Sequence, residues 1–176
     1  MKNTFLIIFV LFSVLAFSQK TVYIYNGSSY SINITRITTQ TIPVSSTSLW
    51  TSNFSSTNGL LQSGEFLILE NTTNNNRFPF SFVSPQTSNI SVINWRRKIG
   101  SITSTVSNAT AFSVNGSTQM FSSIACTVNG GLSGRFELGV NLPTVVTGSG
   151  WVADYNVNAD PAFPNLQETI ITISDF

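Results

Sequence analysis

"TVYIYNGSSYSINI", residues 21–34, is the stretch whose reading decides the fold. Val22 and Ile24 lie before Asn26-Gly27, and Tyr30, Ile32 and Ile34 alternate with Ser31, Asn33 and Thr35 after it. That period of two belongs to a strand with one buried face, not to a helix. Asn and Gly tolerate the positive φ that tight turns between strands demand. The stretch therefore predicts a β-hairpin.

The same period recurs along the chain. GEFLILE (64–70) reads as a strand covered on both faces, and FPFSFV (78–83) as an edge or strand start, because Pro79 donates nothing to a ladder. NISVINW (89–95), SITSTV (101–106), AFSV (111–114), QMFSSIACTV (119–128), RFELGVNL (135–142), WVADYNV (151–157) and ETIITI (168–173) continue the series. NTTNNN, NGS, NGG and GSG separate them with turn chemistry. No stretch carries a helical period. Residues 40–63 are the least regular and are expected to form a long surface loop with Trp50 and Phe54. About ten short strands predict an all-β chain: a single antiparallel β-sandwich or jelly-roll-like domain over residues 19–176.

Residues 1–18 stand apart. Lys2 precedes an apolar run over 5–17 broken only by Ser13, and Ala16 and Ser18 occupy the −3 and −1 positions before Gln19. This is the layout of a secretory signal peptide, and it is shorter than the roughly 20 apolar residues of a membrane span. The expected destination is outside the cytoplasm: extracellular, cell surface or periplasm.

Without Lys2 the chain carries seven cationic and seven acidic side chains, so it has no net field to draw nucleic acid or an anionic membrane. Its Phe, Tyr, Trp, Val and Ile content is that of a folded domain. There is no histidine, which removes Ser-His-Asp and Cys-His nucleophiles and histidine-based zinc sites. The one cysteine, Cys126, excludes an internal disulfide and reads as a buried apolar residue on the face of Ile124 and Val128. A hydrolase needs only two suitably placed acids. Glu65 and Glu70, however, point to opposite faces of one strand, and nothing else in the chain signals catalysis.

Three constellations offer a site. In INWRRKIG (93–100), Trp95 and Arg97 share one strand face and Arg96 and Lys98 the other. The cluster is either a strand end with protective cations or a stacking platform for a sugar ring or anionic head-group. In ADYNVNAD (153–160), Asp154, Asn156, Asn158 and Asp160 repeat the oxygen spacing of a calcium loop. The EF-hand's glycine and bidentate glutamate are replaced by Ala159 and Asn165, and the same residues alternate as the polar face of a strand. The third is the Ser/Thr/Asn-rich stretch 35–59, with Trp50 in it, whose neutral hydrogen-bonding surface suits glycans or packing against like copies.

These observations lead to an expectation of a secreted, non-catalytic binding module, lectin-like or adhesin-like, contacting glycans or other cell-surface components. Its expected ligand-binding residues are Trp95, Arg97 and Trp50. No cofactor is required, calcium at Asp154–Asp160 being the one candidate. Nucleic acid is not an expected partner. The alternatives are a self-associating extracellular structural protein, hence a homo-oligomer, and a membrane-active β-protein.

Overall fold

The computed structural model describes residues 20–41, 47–54, 59–70, 77–80, 92–130, 134–158 and 167–176, with backbone alone for 47–54, 92–93 and 167. Residues 1–18, expected to be a signal peptide, and Asp160 lie outside the described residues. Within them the chain is almost entirely strands: β1 (Lys20–Asn26), β2 (Ser31–Thr41), β3 (Thr47–Phe54), β4 (Leu60–Leu61), β5 (Phe66–Leu69), β6 (Val92–Ile99), β7 (Ile102–Ser107), β8 (Gln119–Asn129), β9 (Gly134–Gly139), β10 (Val145–Thr147), β11 (Trp151–Asn158) and β12 (Gln167–Asp175). The all-β sandwich expected from the period is the fold.

The strands form two sheets. One runs β10-β11-β12-β1-β5, and the other β7-β6-β3-β2-β8-β9, with β4 also paired to β2. Every pairing is antiparallel except β1 with β12, which run parallel from Lys20↔Gln167 to Asn26↔Ile173. The inner faces supply the core. Val22, Ile24, Leu67, Leu69, Ile171 and Ile173 come from the first sheet, and Ile32, Ile34, Ile37, Phe121, Ile124, Cys126, Val128 and Leu138 from the second. Aromatic pairs join the two layers, with Phe121 and Tyr155 ring centres 5.8 Å apart and those of Phe136 and Trp151 5.3 Å apart.

Two bulges keep this face continuous. Thr35 is extra on β2 and Ser122 on β8, so the buried set shifts from Ile32 and Ile34 to Ile37 and Thr39, and from Val128, Cys126 and Ile124 to Phe121 and Gln119. The polar members of the shifted set satisfy one another. Thr39 Oγ1 donates to Gln119 Oε1 at 2.8 Å, and Gln119 Nε2 donates to Thr41 Oγ1 at 2.8 Å.

Five sequence expectations need correction. FPFSFV is not a strand over its described residues 78–80, where Phe78 and Phe80 are buried in the core. The turn at Asn26-Gly27 exists, but β1 and β2 do not pair, because each belongs to a different sheet. The turn is an arch between layers. Asn26 holds its corner, donating through Nδ2 to the Tyr30 and Leu61 carbonyls at 2.8 and 3.1 Å and accepting from Ser28 Oγ at 2.7 Å. Asp175 Oδ1 accepts from the Ser29 N–H at 2.9 Å and ties the last strand to the same arch. Next, residues 47–54 are not a loop but the inner strand β3, between β2 and β6. In β5, Leu67 and Leu69 are fully buried but Phe66 and Ile68 only half so, which leaves one face partly open.

Last, AFSV (111–114) is helical. A turn α1 (Asn108–Thr110), capped by Ser107 Oγ accepting from the Thr110 N–H, widens into a π turn over Ala111–Asn115. Two cations donate to the carbonyls at its end, two of which also accept backbone N–H groups, Phe112 from Gly116 and Gly116 from Phe78. Arg77 Nη1 donates to the Phe112 and Ser113 carbonyls at 2.8 Å each, and Lys20 Nζ donates to those of Gly116 and Ser117 at 3.1 and 2.8 Å. Burial, with the Arg77 charge behind it, brings the Lys20 pKa down to about 8.

Candidate functional site

Trp95 is no platform. It is fully buried, its Nε1 donates to the Phe80 carbonyl at 2.9 Å, and its ring stands edge-on to Phe80 at 4.8 Å and Phe78 at 6.3 Å. An indole with no exposed face has none to stack on a ligand, so the expectation of Trp95 as a contact residue is corrected. Arg97 shares its strand face and is half-buried, with an Nε that has no hydrogen-bond partner among the described residues. Arg96 and Lys98 face outward and are exposed. Register places Trp50 of β3 opposite Arg96, beside the Thr51↔Trp95 and Leu49↔Arg97 pairs, so the three expected contact residues do come from adjoining strands.

The three expected calcium residues that are described are separated rather than gathered. Asp154, Asn156 and Asn158 alternate along β11, which is paired through Asp154 to β10 and along its whole length to β12. Alternate residues of an extended strand stand about 6.6 Å apart. Calcium needs its oxygens within about 2.6 Å of one centre, from a loop that wraps. β11 does not wrap, and Asn158 Nδ2 instead lies 3.5 Å from Glu168 Oε2. No group of three acidic, histidine or cysteine side chains converges among the described residues. Cys126 is buried, and burial raises its thiol well above the ordinary range, away from a reactive thiolate.

The arrangement that stands out is one the sequence reading passed over: the outer face of the five-stranded sheet. On β1, Val22 and Ile24 point inward, so Tyr23 and Tyr25 point outward. Register sets Tyr23 between Ile68 of β5 and Ile170 of β12, and Tyr25 between Phe66 and Thr172. Cross-strand neighbours have side chains about 5 Å apart, so these residues form one patch. Tyr25 is 45% and Ile170 38% exposed, while Tyr23, Phe66 and Ile68 are half-buried by one another.

Polar groups border the patch. Asn156 lies opposite Ile170 and Asp154 opposite Thr172 on β11, with exposed Val145 of β10 beyond Asp154. At the Tyr23 end, partial burial and then the nearby Glu168 and Glu70 carboxylates raise the phenol pKa, keeping its hydroxyl a donor. Gly27 makes room for the Tyr25 ring. A Cβ there would meet Tyr25 Cε1 at 2.7 Å, so only glycine lets the ring lie over this backbone. The signal was present in the sequence. TVYIY, FLIL and TIITI are apolar at both alternate positions, which a one-sided strand does not need.

A concavity lies on the opposite side of the molecule. Thr35, Arg36, Ala125, Arg135, Phe136 and Glu137 line a groove of about 440 Å3 on the outer face of the β2-β8-β9 sheet. Arg36 Nη2 and Glu137 Oε1 form an ion pair of 2.6 Å across it, and Ser123 Oγ donates to the same oxygen at 3.2 Å. That pairing leaves Glu137 committed to structure.

No helix among the described residues is long and apolar enough to cross a membrane. Compared with family models, curated proteins and solved structures, the chain matches none.

Proposed function

We propose that this chain is an exported, non-catalytic binding domain that holds glycans on the outer face of its five-stranded sheet. The observation that carries the reading is the in-register patch of Tyr23, Tyr25 and Phe66 with Ile68 and Ile170, bordered by Asp154, Asn156 and Glu168. Sugar rings present a C–H face that packs on aromatic rings and a rim of hydroxyls that seeks carboxylate and amide partners. A patch of aromatic rings with carboxylates and amides at its edge answers both needs. It spans three strands, about 10 Å across, a scale suited to a chain of sugars lying flat. The leader-like residues 1–18 support export, and the absence of histidine supports a role without nucleophilic catalysis.

Co-sedimentation of residues 19–176 with insoluble polysaccharides tests the reading. Wild type is expected in the pellet and Tyr23→Ala/Tyr25→Ala in the supernatant, with the variant's unfolding midpoint showing that it is folded. Equal retention of both proteins, or retention of neither, overturns it.

A further inference from the structure

Over the described residues the two sheets have four edges, and three of them are blunted. β10 has three residues and β5 four, while β9 carries Arg135 and Glu137. Short strands and charged side chains are the usual means by which a sheet edge avoids recruiting another strand. β7 has none of these. It runs six residues, ITSTVS, without a charge or a proline, and its register to β6 passes from Asn94↔Ser107 to Ile99↔Ile102 without a bulge. Among the described residues it pairs with β6 alone, and all but Ser104 and Val106 of its residues are exposed.

The strand behind that edge is the cationic stretch INWRRKIG. Arg96 lies opposite Thr105 and Lys98 opposite Thr103, all four exposed on the outer face. Neither cation has an ion-pair partner among the described residues. The geometry points to β7 as a docking edge for an extended peptide of another protein, one with acidic side chains at alternate positions. The added strand extends the seven-stranded sheet, its main chain completing the ladder. Two carboxylates two residues apart then lie beside Thr103 and Thr105, facing Lys98 and Arg96. Strands sit about 4.8 Å apart, so the new strand lies about 10 Å from β6, a gap that a Glu and an Arg or Lys close between them.

A second copy is a poor occupant. The acidic residues of this chain are Glu65, Glu70, Glu137, Asp154, Asp160, Glu168 and Asp175, and no two of them are two positions apart. The required pattern has to come from elsewhere. This edge is independent of the aromatic face, which lies on the other sheet.

A fluorescent peptide of alternating Thr and Glu, with a Thr/Lys counterpart, tests the assignment by anisotropy on residues 19–176. The Thr/Glu peptide is expected to bind and the Thr/Lys peptide not. Arg96→Glu/Lys98→Glu, both exposed positions, is expected to weaken the first by about tenfold or more and to favour the second. N-methylation of every second Thr/Glu amide tests the ladder, since only one of the two alternating sets faces β7. One methylated set is expected to lose binding and the other to keep it. No binding of the Thr/Glu peptide, binding unchanged by charge reversal, or equal effects of both methylated sets overturns the proposal. So does concentration-dependent self-association that the Thr/Glu peptide cannot compete away.

Discussion

Trp95 donates its indole N–H to the Phe80 carbonyl at 2.9 Å while its ring meets the Phe80 ring edge-on at 4.8 Å. One side chain thus satisfies a buried carbonyl and fills the core beneath β6. Trp95→Ala is expected to cost about 3–5 kcal/mol in chemical denaturation. Trp95→Phe keeps a ring but orphans the carbonyl, for about 1–3 kcal/mol. Glycan retention per folded molecule should be unaffected by either, because the rings that face solvent lie on the other sheet.

Gly27 and Tyr25 separate binding from stability. The Cβ of Gly27→Ala collides with the far end of a rotatable ring, at Tyr25 Cε1. Tyr25 swings away and the fold survives. The expected outcome is an unfolding midpoint within about 1 kcal/mol of wild type with reduced polysaccharide retention.

Gly148 is the opposite case. A Cβ there would lie 2.0 Å from Trp151 Cε2, and the same indole is also approached by Gly134, whose Cβ would stand 2.8 Å from Cζ2. Trp151 is buried and cannot retreat. Gly148→Ala should cost about 1–3 kcal/mol by overpacking. Trp151→Phe, made in that background, should recover part of the loss, which a double-mutant cycle of urea midpoints would measure.

Lys20 gives stability a dependence on pH. Its folded pKa of about 8 lies below the 10.5 of the unfolded chain. Between those values the unfolded state holds the extra proton, so stability rises as pH increases from 8. Tyr155 acts in the other sense. Burial raises its folded pKa to about 12 from 10, so stability falls above pH 10; the raised thiol of Cys126 begins the same loss near pH 9. The urea midpoint should therefore climb between pH 8 and 9 in wild type and stay flat over that interval in Lys20→Met.

Where local pattern and tertiary pairing agreed, the sequence was readable. In β8 and β11 apolar residues recur at alternate positions, and Ile124, Cys126 and Val128, like Trp151, Ala153 and Tyr155, are buried as that alternation predicts, up to the shift at Ser122. β3 escaped notice because TSLWTSNF is rich in Ser and Thr. The helical turn at 108–115 depends on Lys20, 96 residues from Gly116, and no local period records that. Asn26-Gly27 signalled a turn correctly, but which sheet each arm joins is decided by β12, at the far end of the chain. Trp95 in front of three cations resembled a site because burial is invisible in one dimension. The doubly apolar TVYIY was legible as an open face only once its neighbours were known.

The parallel pairing of β1 with β12 has a consequence for assembly order. Their residues are separated by 147 positions, so the ladder between them closes almost the longest loop this chain can make. Pairings so distant in sequence form late and slowly. Until residues 167–175 arrive, β1 has β5 on one flank and an unfilled slot on the other, of the shape its own last strand fills. Loss of those nine residues should leave a chain that recruits a substitute strand rather than one that merely frays at its end.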